Sequence, residues 1–203
     1  MLEKIIDNTS EYIDSMPKKE RKKYGQFFTS IETARYMAEL FEIPQNQDKI
    51  SLLDAGAGSG ILSCAMIERL EHIEGVKKVE VLCYETDENV MPLLQKNLNL
   101  AKEFSSKEVE FVIKEDNYIL SQYLDFNYMV GGNFNPPKYD IVIGNPPYMK
   151  IPKEAPEAKA MPDICYGAPN MYFIFAAMGL FNLKENGEMV YIYPKVLDFR
   201  SIF

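Results

Sequence analysis

The chain has 203 residues, of which 47% are apolar and 26% charged, and a net charge of −8. That length and composition suit one globular domain. No apolar run approaches the roughly 18 residues of a membrane-spanning helix, and Met1-Leu2-Glu3-Lys4 is not a secretory signal. A lone histidine, His72, and three scattered cysteines, Cys64, Cys83 and Cys165, argue against a metal site and for reduced thiols in a cytoplasmic protein, while the acidic balance disfavours a polyanionic ligand unless something compensates.

Ile5, Ile6, Tyr12 and Ile13 predict a short leading helix that stops near Pro17. Lys18, Lys19, Arg21, Lys22 and Lys23 against Glu20 then carry a net +4, leaving −12 on the rest of the chain; the run reads either as a solvated linker or as a phosphate-contacting arm. Residues 1–23 are thus a leading segment and 24–203 the main domain. Thr29-Ser30-Ile31-Glu32 has the T-x-x-E form of a capping box, and Ile31, Ala34, Met37, Ala38 and Phe41 give the following helix an apolar stripe, so Tyr24 to Phe28 form a loop feeding a helix N-terminus.

The chain then alternates. Strands are expected near 51–54, 79–85, 109–113, 139–144 and 188–193, and helices near 60–73, 88–104 and 170–183, with Asn170 as a cap for the last. This alternation predicts an α/β fold, a mainly parallel sheet with helices on both faces. Two connections, 117–138 and 149–169, lack periodicity and are rich in Pro, Gly and Asn; loops that long in a compact domain are usually functional or disordered. There is no internal repeat and no sign of a second domain.

Two motifs carry chemistry. Asp54-Ala55-Gly56-Ala57-Gly58-Ser59-Gly60 follows a buried-strand run, and its glycines let the backbone bend sharply and approach a ligand; alone it could be a structural turn, and its G-x-G-x-G spacing is not the dinucleotide fingerprint. Ile141-Val142-Ile143-Gly144 leads into Asn145-Pro146-Pro147-Tyr148, an amide, a rigid extended pair and an aromatic ring. Both motifs sit at strand C-termini, where open α/β sheets bind ligands. Glu85 ends the next strand and can accept two hydroxyl protons, though an exposed strand-end acid is an equal reading. Asp116 follows the strand after that, where Asn117 could instead cap a turn. Asn135-Pro136-Pro137 repeats part of the second motif without a preceding strand or a following ring, and reads as loop punctuation.

The ordered pair, with Tyr24-Gly25-Gln26-Phe27-Phe28-Thr29 upstream, resembles the S-adenosylmethionine-dependent methyltransferases that modify an amino nitrogen, most closely the N6-adenine DNA methyltransferases of restriction-modification systems. The resemblance spans about Lys23 to Pro194. It implies a Rossmann-like methyltransferase fold in which S-adenosylmethionine lies along Asp54, Gly56, Gly58 and Gly60, with Glu85 on its ribose and Asp116 on its adenine amine. Phe28 and Thr29 would close over its methionine end, unless they are a core aromatic pair beside a helix cap, and Tyr172 would pack near its adenine, with helix core an equal reading of Tyr172 and Phe173. Asn145, Pro146, Pro147 and Tyr148 would hold the target amine, on an adenine that must leave the DNA stack to reach them, with 149–169 as a gate. Because such sheets normally continue for another strand pair, this chain is expected to lack its last strands and a target-recognition domain. DNA would be met through a missing C-terminal region or a partner subunit, and the chain alone is expected to bind DNA poorly. Two alternatives remain open: a methyltransferase acting on a glutamine amide or guanine N2, and a cofactor-binding remnant inactive alone.

Overall fold

The apolar run at 51–54 forms β1 (Lys49–Ala55), in which every residue after Lys49 is buried, as befits a central strand covered on both faces. It pairs in parallel with β2 (Lys78–Tyr84) on one side and β4 (Tyr139–Gly144) on the other. Outside these lie β3 (Glu108–Lys114) and β5 (Leu183–Tyr191), giving the order β3-β2-β1-β4-β5 with every pair parallel. The structure, a computed structural model, is described over residues 1–17, 28–129, 138–165 and 169–193. The basic run, Tyr24 to Phe27, the Asn135-Pro136-Pro137 repeat, Gly167-Ala168 and everything from Pro194 lie outside the described residues.

Side chains alternate between faces along each strand, and two cores result. Ile50, Leu52, Val79, Val81, Ile141 and Ile143 face one core. It is covered by α1 (Leu2–Ser15), α2 (Ile31–Glu39), α3 (Ile61–Leu70) and α4 (Met91–Phe104). Leu53, Ala55, Tyr84 and Val142 face the other, beneath α7 (Met171–Phe181), with α6 (Pro156–Ala160) contributing Ala158 and Ala160 and α5 (Tyr123–Met129) packing Phe126 at its margin. Helix α1 stops as expected: Met16, with φ −84° and ψ 136°, is driven out of the helical region by Pro17. It is no detached leader, since Leu2 and Ile5 are fully buried in the first core.

Several boundaries differ from expectation. The cap of α2 is Ser30, whose hydroxyl accepts from the Thr33 amide at 3.3 Å, so Thr29 is left to other work. Strand β5 begins five residues early because a bulge, the polar Lys184 to Gly187 with Asn186 at φ +63°, interrupts its pairing and masks its apolar pattern. Asn170 occupies the cap position of α7 without a side-chain cap bond. The connections expected to be irregular hold α5 and α6, each too short to show a period. The second is a pinned loop: the Ile151 amide donates to Pro169 O and the Met171 amide to Met149 O, both at 3.0 Å, and Ile151, Ala158, Ala160 and Met161 are buried.

The chain runs from β1 outward through β2 to β3, then crosses back to start again at β4. This reversal between β1 and β4 is a topological switch point, and its crevice lies beyond the strands' C-termini.

Candidate active site

Asp54 pairs with Ile143 across the switch point, so Gly56 and Asn145, each two residues further on, leave the sheet side by side. Sheet register thus joins the two motifs. The turn after β1 is made by backbone: Gly56, Gly58 and Gly60 have φ of +72°, +55° and +76°, a region that L side chains avoid. The Gly56 and Ala57 amides both donate to Tyr84 O (2.8 and 2.9 Å), and the Gly60 amide closes the turn on Ala57 O (2.8 Å). Glu85 grips the same turn from the tip of β2, its Oε2 accepting from the Gly58 amide and its Oε1 from the Thr86 amide, both at 2.8 Å. A Cβ on Gly58 would meet nothing within 4 Å, which leaves this stretch of backbone open for a ligand to approach.

The segment after β4 is held by side chains. Asn145 Nδ2 donates to Thr29 Oγ1 at 3.2 Å, and the Tyr148 hydroxyl reaches both Asn145 Oδ1 and the Ile192 carbonyl oxygen, the latter at 2.8 Å. Burial pushes the Tyr148 phenol up to about 12, so it stays a neutral donor. Thr29 therefore meets the amide of the second motif, a contact that its expected place over the cofactor did not foresee.

A cavity of about 390 Å³ lies between the two segments. Phe28, Gly56, Gly58, Glu85, Asp116 and Asn145 to Tyr148 all line it. Four expected residues do not. Gly60 is the N-cap of α3, and a Cβ there would stand 2.7 Å from Leu94 Cδ1. Thr29 stands behind Asn145. Asp54 is fully buried under the turn, on the first-core side of β1; its Oδ2 accepts from Ser63 Oγ at 2.7 Å, and burial raises its carboxyl to about 7. Tyr172 packs instead on Phe173 and Tyr193, with ring centroids 4.2 and 5.8 Å away.

The α7 residues that do reach the cavity are Met171 and Phe175. They are four apart and share a helix face, while position 172 points a quarter-turn away. Tyr84 and Tyr118 join Phe175 in an aromatic wall with centroid spacings of 5.1 and 5.2 Å. Of these only Tyr84, beside Glu85 at a strand tip, carried a sequence signal. Asn117 does cap its turn, accepting from the Ile119 and Leu120 amides at 3.0 Å, and its Nδ2 donates to Glu157 of α6 at 2.8 Å, which brings a second carboxylate to the end of the cavity where Asp116 lies.

A parallel sheet in this order, with a glycine turn and an acid at adjoining strand tips, defines a Rossmann-like fold of the methyltransferase kind. A solved structure described as a class I S-adenosylmethionine-dependent methyltransferase from Listeria monocytogenes superposes with a TM-score of 0.60 at 18% identity, over 90% of this chain and 54% of that one. The methyltransferase subunit of a type I restriction-modification system from Streptococcus thermophilus gives 0.58 at 20% identity, over 81% and 34%. Residues 64–200 match the Eco57I restriction-modification methylase family. The chain is 33% identical over 198 residues to the Type II methyltransferase M.PstI of Providencia stuartii, and 30% identical over 183 residues to M.BsuBI of Bacillus subtilis. It belongs to the Eco57I restriction-modification methylase family. These alignments take in 94% and 87% of this chain but 37% and 35% of the two relatives, so the chain spans about a third of their length.

Proposed function

We propose that this chain binds S-adenosylmethionine in the cavity at the tips of β1, β2 and β4, and that the methyl group passes to the N6 amine of an adenine flipped out of DNA, as the modification activity of a restriction-modification system. The observation that carries this reading is the single cavity shared by Gly58, Glu85 and Asp116 on one side and Asn145 to Tyr148 on the other.

The lining fits the cofactor in chain order. The Gly56–Gly58 backbone, without Cβ atoms, faces its amino-acid part; the Glu85 carboxylate can accept from ribose hydroxyls while keeping its amide donors; Asp116 can accept from the adenine amine. The bound sulfonium supplies an electrophilic methyl group. The chain's own task is to present the amine. Asn145 Oδ1 and the Pro146 carbonyl oxygen accept the two N–H bonds, which favours the pyramidal nitrogen and stabilises positive charge as it develops. N6 would gain the methyl as its bond to sulfur breaks and a neutral thioether leaves, and would release one proton to solvent, since neutral amide acceptors do not keep it. The Tyr148 ring supplies a face for the base, and its hydroxyl turns from Asn145 Oδ1 to Ile192 O as the amine arrives. Charge sets the DNA contact: with −12 outside the basic run, phosphate neutralisation has to come from that run together with a further recognition region or a partner subunit.

Calorimetry with S-adenosylmethionine tests the cofactor. Micromolar binding is expected, with Glu85→Ala weakening it by about 1–3 kcal/mol; absence of binding at millimolar ligand would overturn the assignment. Transfer of a radiolabelled methyl group, offered adenine-containing DNA, a glutamine-bearing protein and structured RNA in parallel, tests the acceptor. With the recognition region or partner subunit present, label in DNA N6-methyladenine is expected, and label in protein or in guanine N2 refutes it.

A further inference from the structure

Helix α4 carries one residue that its packing does not require. Leu93, Leu94, Leu98 and Ala101 form its buried stripe, and Asn97 lies among them with no exposed surface at all. A primary amide buried so completely is unfavourable unless its donors and acceptor are met, and a leucine or alanine would serve packing alone. Both ends of this amide are met. Nδ2 donates to the Ser59 carbonyl oxygen at 2.8 Å, and Oδ1 accepts from Asn8 Nδ2 at 2.9 Å.

Ser59 lies in the glycine turn, between two residues with left-handed backbone, and is itself buried. The turn is thus gripped from opposite sides, by Glu85 on the Gly58 amide from the cavity and by Asn97 on the Ser59 carbonyl from the helix layer. Asn8 is in turn fixed by α1. Leu2, Ile5 and Thr9 of that helix are buried, and Arg35 ties it to the domain by pairing with Glu3 (2.9 Å) and with Glu68 of α3 (2.8 Å). A continuous chain of bonded groups therefore runs from the N-terminal helix to the turn.

We propose that Asn97, held by Asn8, is a positioning residue for the cofactor turn, so that the N-terminal helix is a working part of the cofactor site. The inference rests on the cofactor reading above, and goes beyond it by assigning residues that touch no ligand. With three glycines the turn has more backbone freedom than a turn without them, and a ligand that needs one conformation binds more weakly when many are populated. The Asn97 amide removes that freedom before the ligand arrives.

The test uses the chain as it stands, with S-adenosylhomocysteine as the probe and two readouts, its Kd and hydrogen exchange at the 58–61 amides. Asn97→Asp keeps the acceptor for Asn8 but replaces the donor to Ser59. It is expected to weaken binding by about tenfold and to speed exchange in the turn. Asn8→Ala, at a half-buried site, is expected to weaken binding by about threefold, and a double-mutant cycle should show that the two effects are not additive. Ser51→Ala removes the Ser51 Oγ bond to Asp140 Oδ2 (2.6 Å) at the opposite end of β1 and serves as the destabilised control; it should lower Tm while leaving Kd unchanged. If Asn97→Asp does not fold, Asn8→Ala carries the test. Wild-type Kd and wild-type exchange in these variants, or a Kd loss in Ser51→Ala of equal size, overturns the proposal. Failure of the unaltered chain to bind the probe sinks the cofactor reading instead, and turn exchange still decides the role of Asn97.

Discussion

The two segments that meet in the cavity are built in opposite ways. The turn after β1 is backbone work, with three left-handed glycines, amides shared with Tyr84, and a conformation stapled by Glu85 and Asn97. The segment after β4 has prolines that preset its torsions, but its working groups are aimed by side chains: Thr29 on one end of the Asn145 amide, Tyr148 on the other, and the Ile192 carbonyl beyond. A site that must shape itself to a ligand's contour is best made of main chain, which cannot change rotamer. A site that must present an acceptor, then accommodate charge as it appears, is best made of a few oriented polar groups. The two should therefore fail differently when altered, one in stability and affinity and the other in rate.

The sharpest way to break this contrast is Asn145→Ala. With the recognition region or partner subunit present, methyl transfer to DNA is expected to fall by roughly 10²–10³, while cofactor Kd and Tm stay close to wild type; wild-type turnover would remove the assignment. Next is the carboxyl under the cradle. Burial holds Asp54 at about 7 against an ordinary 3.8, so folding favours its protonated form: that contribution is complete below about 3.8 and is lost as the pH climbs through about 7. Stability should fall across this window by up to about 1.4 kcal/mol per pH unit, and Asp54→Asn should flatten the profile. Urea unfolding from pH 4 to pH 8 measures both slopes, and parallel profiles for the two proteins would show that the buried carboxyl does not control stability.

Gly60→Ala strikes the turn itself. It puts a Cβ 2.7 Å from Leu94 Cδ1 at φ +76°, which should lower unfolding stability by about 2 kcal/mol and weaken cofactor binding with it. A neutral result would mean that the turn is softer than three left-handed glycines imply. The smallest effect tests the aim of the clamp. Thr29→Val removes the acceptor for Asn145 Nδ2 and should slow methyl transfer by about fivefold at unchanged cofactor Kd, with Thr29→Ser restoring the rate. If Thr29→Val instead weakens cofactor binding and spares kcat, Thr29 belongs with the cradle, as the resemblance alone suggests.

Much of this architecture is local and was legible residue by residue. The continuous apolar run of β1, the apolar stripe of α2 and the stop of α1 before Pro17 follow from burial, helical periodicity and proline sterics, each of which acts within a few residues. So do the glycine turn and the Asn145-Pro146-Pro147-Tyr148 segment, whose backbones need those residues wherever they occur. Where local pattern is weak, distant contacts set the structure. The bulge in β5 hides its start, α5 and α6 are too short to show a period, and Met171 and Phe175 reach the cavity where the resemblance pointed to Tyr172, because the face that residues four apart share is fixed only when α7 packs.

What the sequence by itself determined, then, is the inventory of elements and the two motifs at strand ends. Only the tertiary structure decided which distant residues complete them. The Thr29–Asn145 bond spans 116 positions and the Asn8–Asn97 bond 89. Neither has a spacing that could be recognised, since each depends on where the chain reverses between β1 and β4 and on how α1 settles over α4. Strand order and helix packing are set by the summed burial of two cores, a property of the whole chain, and polar partners across such distances become visible only after that burial has placed them.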